Sequence, residues 1–139
     1  MQKFIMPKVP TVSKITIERI VDEDPDLSYL EQDYLEDSIK PEDRTKYLEQ
    51  DKSRLESYGR LWIMLGIRAK AEYLIPDNNG QSAIIQELHS AGLYGIESDL
   101  EESYLESIEK EQLEDLKAYC KKMHIKIPSN VEIVKVNKS

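Results

Sequence analysis

Asp22, Asp24 and Asp26 set three carboxylates at alternate positions of one short segment, with Glu23 beside them. Hard cations such as calcium are held by several carboxylate oxygens in such a pattern. The rest of a calcium loop is missing. Leu27 stands where the tight-turn glycine belongs, and Asp33 stands where a bidentate glutamate would close the loop. The segment therefore reads first as a solvated turn, and no metal or other cofactor is expected. Glu97 and Asp99 are a second pair of acids that could join the first around a cation, so a small metal-dependent hydrolase is one alternative function. Other catalytic chemistry has little to work with. His89 and His124 are the only histidines, and the chain has no HExxH pair, no glycine-rich phosphate loop and no recognisable setting for a nucleophilic Ser or Cys. No catalytic residue is assigned, and the balance is against an enzyme.

The acids matter more as a charge pattern. Of 27 Asp and Glu, 17 fall between Asp22 and Asp37 or between Glu97 and Asp115. The first stretch holds eight acids and no base, the second nine acids and Lys110, so each carries a formal −8. The remainder sets 18 Lys and Arg against 10 acids, so the whole-chain value of −8 hides a strongly polarised distribution. Such patches repel nucleic acid and attract basic partners. Helix-dipole complementarity accounts for only two or three acids at a helix start, at about 0.3 to 1 kcal/mol each, and acids spaced like Glu102 and Glu106 repel one another. The excess points to solubility or to a partner. Asp22, Asp24, Asp26, Asp33, Glu97, Asp99, Glu101, Glu102, Glu106 and Glu109 are the expected contacts to a basic protein surface, with the helical acids facing solvent.

At 139 residues and 40% hydrophobic, the chain suits a single core. Residues 1–12 are expected to be an N-terminal tail and residues 13–139 one α+β domain. Cys120 has no partner for an internal disulfide, which fits a reducing cytoplasm. No apolar run reaches signal-peptide length near Met1, and the longest, Leu61 to Ile67, falls far short of the roughly 20 residues a membrane span needs. Direct contact with nucleic acid or membrane is not expected.

The elements that position these residues begin with a strand from Ser13 to Val21, its alternation disturbed at Glu18 and Arg19. Pro41, followed by Glu42 and Asp43, starts a helix with a thin stripe of Leu48, Leu55 and Tyr58, ending near Gly59. Ile63, Leu65, Ile67, Ala69, Ala71, Tyr73 and Ile75 alternate strictly and predict the clearest strand. The turn at Pro76 to Gly80 then leads into a second extended run, Gln81 to Ile96, making a long antiparallel hairpin. Gly92 and Gly95 imply a bulge or a close backbone approach. Ser98 and Glu101 form a capping box that predicts the start of a helix, with Leu105, Ile108, Leu116, Cys120 and Met123 on one face. Val131, Ile133 and Val136 offer a last strand. Strand, helix, two strands, helix, strand is the element order of a ferredoxin-like βαββαβ fold, with a looser antiparallel sheet under the last helix as the other α+β option.

Three segments, Asp24 to Leu30, Gly92 to Asp99 and Glu111 to Leu116, together resemble small acidic bacterial and phage proteins of unknown function. In these a Gly-Leu-aromatic-Gly-Ile-Glu-Ser-Asp segment precedes a C-terminal acidic helix. The resemblance implies a mobile-element origin and no assigned activity. Charge, size and resemblance lead to a non-enzymatic protein that binds a basic partner, for example an inhibitor of a nucleic-acid-handling host defence system. The further alternative is a domain whose acidity serves solubility and whose site is a small-molecule pocket near Trp62, Gly92, Tyr94, Gly95 and Ser98.

Overall fold

The computed structural model describes residues 7–138. Five strands and two helices follow in the order β1 (Thr11–Val21), α1 (Pro41–Glu56), β2 (Met64–Pro76), β3 (Ala83–His89), β4 (Leu93–Glu97), α2 (Glu102–Lys122) and β5 (Glu132–Lys138). The fold is α+β, as its sequence pattern implies. The first six residues of the expected tail lie outside the described part, and Thr11 and Val12 already belong to β1, with Val12 buried.

The sheet runs β3-β2-β1-β5, and β4 lies beside the first half of β2. β1 pairs with β2, and β2 with β3 and β4, all antiparallel, while β5 joins β1 in parallel. The sheet is therefore mixed, where an antiparallel one was expected. The split-βαβ pairing suggested by the element order is also replaced. α1 connects two antiparallel neighbours, β1 and β2, instead of carrying the chain across to a parallel strand. The parallel crossover is β4-α2-β5, which spans β2 and β1 and so lays α2 over one face of the sheet.

That face holds the core. Ile15 from β1, Ala69, Ala71 and Tyr73 from β2, and Leu116 and Cys120 from α2 form one buried cluster. Ile67, Ile96, Leu105 and Ile108 form a second toward the start of α2. The strict alternation along β2 is reproduced, with Ile67, Ala69, Ala71 and Tyr73 buried and Arg68, Lys70 and Glu72 half-buried on the opposite face. Ile15 packs in the core under α2, while on the opposite face Glu18 is covered by the side chains of Arg68 and Lys70, so Ile15 to Glu18 are buried without a break. This explains the disturbed alternation of its sequence.

The long connection between β1 and β2 folds back as a small outlying unit. A 3-10 turn at Ser28–Leu30 and α1 enclose Leu30, Trp62 and Met64, with Leu27, Leu55 and Tyr58 packed around them. α1 itself has no buried residue, and Leu48, expected on its packed stripe, is exposed. The second extended run breaks into β3 and β4 at Ser90 to Gly92. Ser90 donates its backbone N–H to Ala69 O, and its hydroxyl accepts the Ala69 N–H and donates to Gln112 Oε1. β4 then slips in register between Leu65 and Ile67. Gly92 and Gly95 both have φ in the left-handed region, which suits the break and the slip.

Candidate functional site

Where the chain leaves β1, Asp22 accepts the N–H of Asp24 at 3.1 Å and that of Gly95 at 3.2 Å, tying the acidic loop to β4. Asp26 accepts the Ser28 N–H at 3.0 Å, and Asp33 accepts the Leu35 N–H at 3.3 Å. Hydrogen bonds from the Ser28 hydroxyl and backbone hold Asp26 below the usual carboxylate range. Each of these acids folds its own stretch of loop. Among the described residues no three His, Cys, Asp or Glu side chains converge as metal ligands. Glu23, Asp24, Asp26, Glu31, Asp33, Glu36 and Asp37 are exposed.

The second acidic stretch divides. Glu97 and Asp99 grip Arg54 of α1, with the Arg54 Nη1 to Asp99 Oδ2 bond at 2.5 Å. The same guanidinium lies 3.7 Å over the Trp62 ring, whose indole N–H donates to the Arg54 carbonyl at 2.8 Å. Tyr58 packs edge-on against Trp62 at 5.0 Å between ring centroids. Trp62 is thus buried and engaged on its face, its edge and its N–H. The depression beside it, about 220 Å³, is open and is lined by Gly59, Arg60, Leu61, Trp62, Ile63 and Ser98. The Arg54 hydrogen bond holds Asp99 below its ordinary pKa.

Ser98 does not cap α2. Its hydroxyl accepts the Ile63 N–H at 2.9 Å, joining β4 to the start of β2, and α2 begins after Glu101 with no side-chain cap. The local capping preference yields because strand pairing with β2 continues through Glu97 and draws Ser98 along, its N–H bonding Ile63 O. Met123, expected on the buried face, is exposed at the end of α2.

Glu109 departs furthest from expectation. Expected in solvent, it is 3% exposed beneath α2, where Arg19 Nε reaches its carboxylate at 3.1 Å and Lys135 Nζ at 3.2 Å. Arg19 also binds Glu102 at 2.5 Å, and these bonds, led by that to Glu102, raise the guanidinium pKa above its ordinary value despite burial. Glu102 is lowered by the same bond. On the other face Glu18 is fully buried between Arg68 at 2.9 Å and Lys70 at 3.1 Å. Burial alone would lower the Arg68 pKa; the bond and charge of Glu18 outweigh it, and the net shift is upward. Sequence reasoning passed over Arg19, Arg54 and Glu18. The signal available was the charged pair Glu18-Arg19 inside an otherwise apolar strand.

Tyr94, Gly92 and Gly95 do not line the depression beside Trp62. The Tyr94 ring covers Gly66 on the face of the sheet away from α2, and a Cβ on Gly66 would overlap it. Glu101 at the N-cap of α2 and Glu106, Glu111, Glu114 and Asp115 on the helix are exposed, in addition to the loop acids. Asp26, Asp77, Asp99 and Glu102 are all held below their usual pKa values, the direction of anions that accept hydrogen bonds rather than of proton donors. No helix among the described residues is long and apolar enough to cross a membrane. Comparison with protein-family models, curated proteins and solved structures finds no match for this chain.

Proposed function

We propose that this chain is a non-enzymatic acidic interaction protein that binds a basic surface of another protein through two carboxylate regions, the exposed loop after β1 and the outward side of α2. The supporting observation is the division of labour among the acids. Glu18, Glu97, Asp99, Glu102 and Glu109 are consumed by internal ion pairs, whereas Glu23, Asp24, Glu31, Glu36, Glu101, Glu106 and Glu111 stand exposed. Exposed like charges cost stability, and a basic partner recovers that cost by neutralising them.

In its finer form, the partner is a nucleic-acid-handling protein of a host defence system and this chain a mobile-element inhibitor of it. Carboxylates carried on a helix and a pinned loop compete for the Lys and Arg that otherwise meet phosphates. The test is a pull-down from bacterial lysate at low salt, washed stepwise to high salt, beside a variant with Glu101, Glu106 and Glu111 changed to Lys. One stoichiometric basic protein, released as salt rises and not retained by the variant, is the expected result. Retention indifferent to both salt and charge reversal would overturn the reading.

A further inference from the structure

The turn that joins β2 to β3 brings together the groups of a reaction that needs no partner but water. Of the chain's four asparagines only Asn79 precedes a glycine, Gly80; Asn78 precedes Asn79, Asn130 precedes Val131 and Asn137 precedes Lys138. The carboxamide carbon of an asparagine is open to attack by the backbone nitrogen of the next residue. A side chain on that residue crowds the attack, and glycine has none.

The structure leaves both reacting groups accessible. Asn78, Asn79 and Gly80 are all exposed. The Asn79 carboxamide makes no hydrogen bond among the described residues. Nothing lies within 4 Å of the place a Cβ would take on Gly80. The Gly80 N–H lies outside the β2-β3 ladder and donates to Asp77 O at 3.2 Å, the long end of the normal range.

One side chain holds the turn against the backbone rotation that ring closure requires. Asp77 Oδ1 accepts the N–H of Asn79 at 3.1 Å and that of Gln81 at 3.0 Å, and Oδ2 accepts the Ser82 hydroxyl at 2.7 Å. Such a carboxylate mimics a backbone turn and fixes the residues that follow it. These bonds, led by that from the Ser82 hydroxyl, hold its pKa below the usual carboxylate range, so the clasp is fully charged at neutral pH.

We infer that Asn79-Gly80 is a self-modification site, where the chain converts Asn79 to aspartate and isoaspartate at a rate restrained by the Asp77 clasp. The Gly80 nitrogen gives its proton to hydroxide and bonds to Asn79 Cγ. The Cγ–Nδ2 bond breaks, and the leaving nitrogen takes up a proton and departs as ammonia. The cyclic imide then adds one water. Opening at one carbonyl leaves aspartate; opening at the other leaves isoaspartate, whose main chain runs through Cβ and Cγ. No oxidant or reductant enters.

Either product adds a negative charge beside Lys8, which lines the same open depression of about 370 Å³ as Asn79. Isoaspartate also lengthens the turn by one backbone atom. The Asp77 N–H to Ser82 O bond closes the turn, and the ladder starts at once with Pro76 opposite Ala83, so the change is confined to the tip.

The test incubates the full chain over a series of alkaline pH values and maps its peptides by chromatography and mass spectrometry. Residue 79 is expected to gain the mass of an acid in place of an amide, with isoaspartate among the products. The rate should rise with pH, because the nucleophile is the deprotonated amide. Asn130 is the internal control: it is exposed in a turn but is followed by β-branched Val131, and it should stay intact. Asn79→Gln, which would have to close a larger ring, should lose the product. Asp77→Ala should speed the reaction about fivefold, the factor equivalent to one net hydrogen bond of about 1 kcal/mol. Ser82→Ala, a milder change that removes one bond of the clasp, should act in the same direction. An Asn79 that stays intact, or reacts no faster than Asn130, overturns the site. A rate unmoved by both clasp variants overturns the restraint. Neither readout involves a basic partner, so the outcome is separate from that of the proposed function.

Discussion

Glu109 and Glu106 are three residues apart on α2, yet opposite outcomes follow from removing them. Glu109 lies buried against Arg19 and Lys135. Deleting one partner of a buried pair leaves a charge with reduced compensation and costs about 3 to 5 kcal/mol. Arg19 keeps Glu102, so Glu109→Ala should fall at the low end, about 3 kcal/mol in urea unfolding. Glu106 is exposed, and Glu106→Ala should stay within about 0.5 kcal/mol. Equal effects would mean that Glu109 is not held as described. Gly66 makes a second contrast at this scale. An added methyl must displace the Tyr94 ring, so Gly66→Ala should cost about 1 to 3 kcal/mol. Removing the ring relieves the clash, so the double variant with Tyr94→Ala should be more stable than the two single effects added together. Strict additivity would sink that account.

Among the elements, α1 depends most on a single side chain. It buries no residue of its own, and Arg54 joins it to Trp62, Glu97 and Asp99. Arg54→Ala should lower hydrogen-exchange protection across Pro41–Glu56 while β1 and β2 keep theirs, and Arg54→Lys should not restore it, because an ammonium lacks the planar fork and stacks poorly. The junction also responds to acid. Asp99 is held below its unfolded value by Arg54, so its contribution is full above the unfolded carboxyl pKa of about 4 and is lost as pH falls through the lower folded value. Trp62 fluorescence should therefore report loosening of α1 below about pH 4, and Asp99→Asn should remove that part of the response. Periodicity made β2 and the buried face of α2 legible, because alternation and the 3.6-residue repeat are local properties. The start of α2 was not legible. Ser98 and Glu101 satisfy a capping pattern locally, but β4 pairing claims Ser98 for Ile63. Glu109 was misread for a related reason, since its partners Arg19 and Lys135 arrive from β1 and β5, far away in sequence. The joining of Trp62, Glu97 and Asp99 around Arg54 is likewise a product of tertiary pairing.

For the whole molecule, the net charge of −8 acts against compactness in proportion to how little salt is present. Screening lengths shrink from about 30 Å at 0.01 M salt to about 10 Å at 0.1 M. Two opposed effects follow. Salt relieves repulsion among Glu23, Asp24, Glu31 and Glu36, all exposed in one loop, while it weakens the exposed parts of the ion pairs at Glu102 and Asp99. The buried pairs at Glu18 and Glu109 are screened much less. Repulsion acts among many charges and the exposed pairs are few, so the unfolding midpoint should rise as salt is added over this range. Changing Glu23, Glu31 and Glu36 to Gln and Asp24 to Asn should raise stability at low salt by about 1 kcal/mol or less, the scale of surface-charge optimisation, and should flatten the salt response. The same variant should bind a basic partner more weakly, because the charges that cost stability are those proposed to attract it. Thermal unfolding at two salt concentrations, run beside the binding measurement, separates the cases. A variant that is stabilised and still binds as well as the natural chain would show that this loop's acidity serves solubility, and would leave α2 as the only acidic surface for a partner.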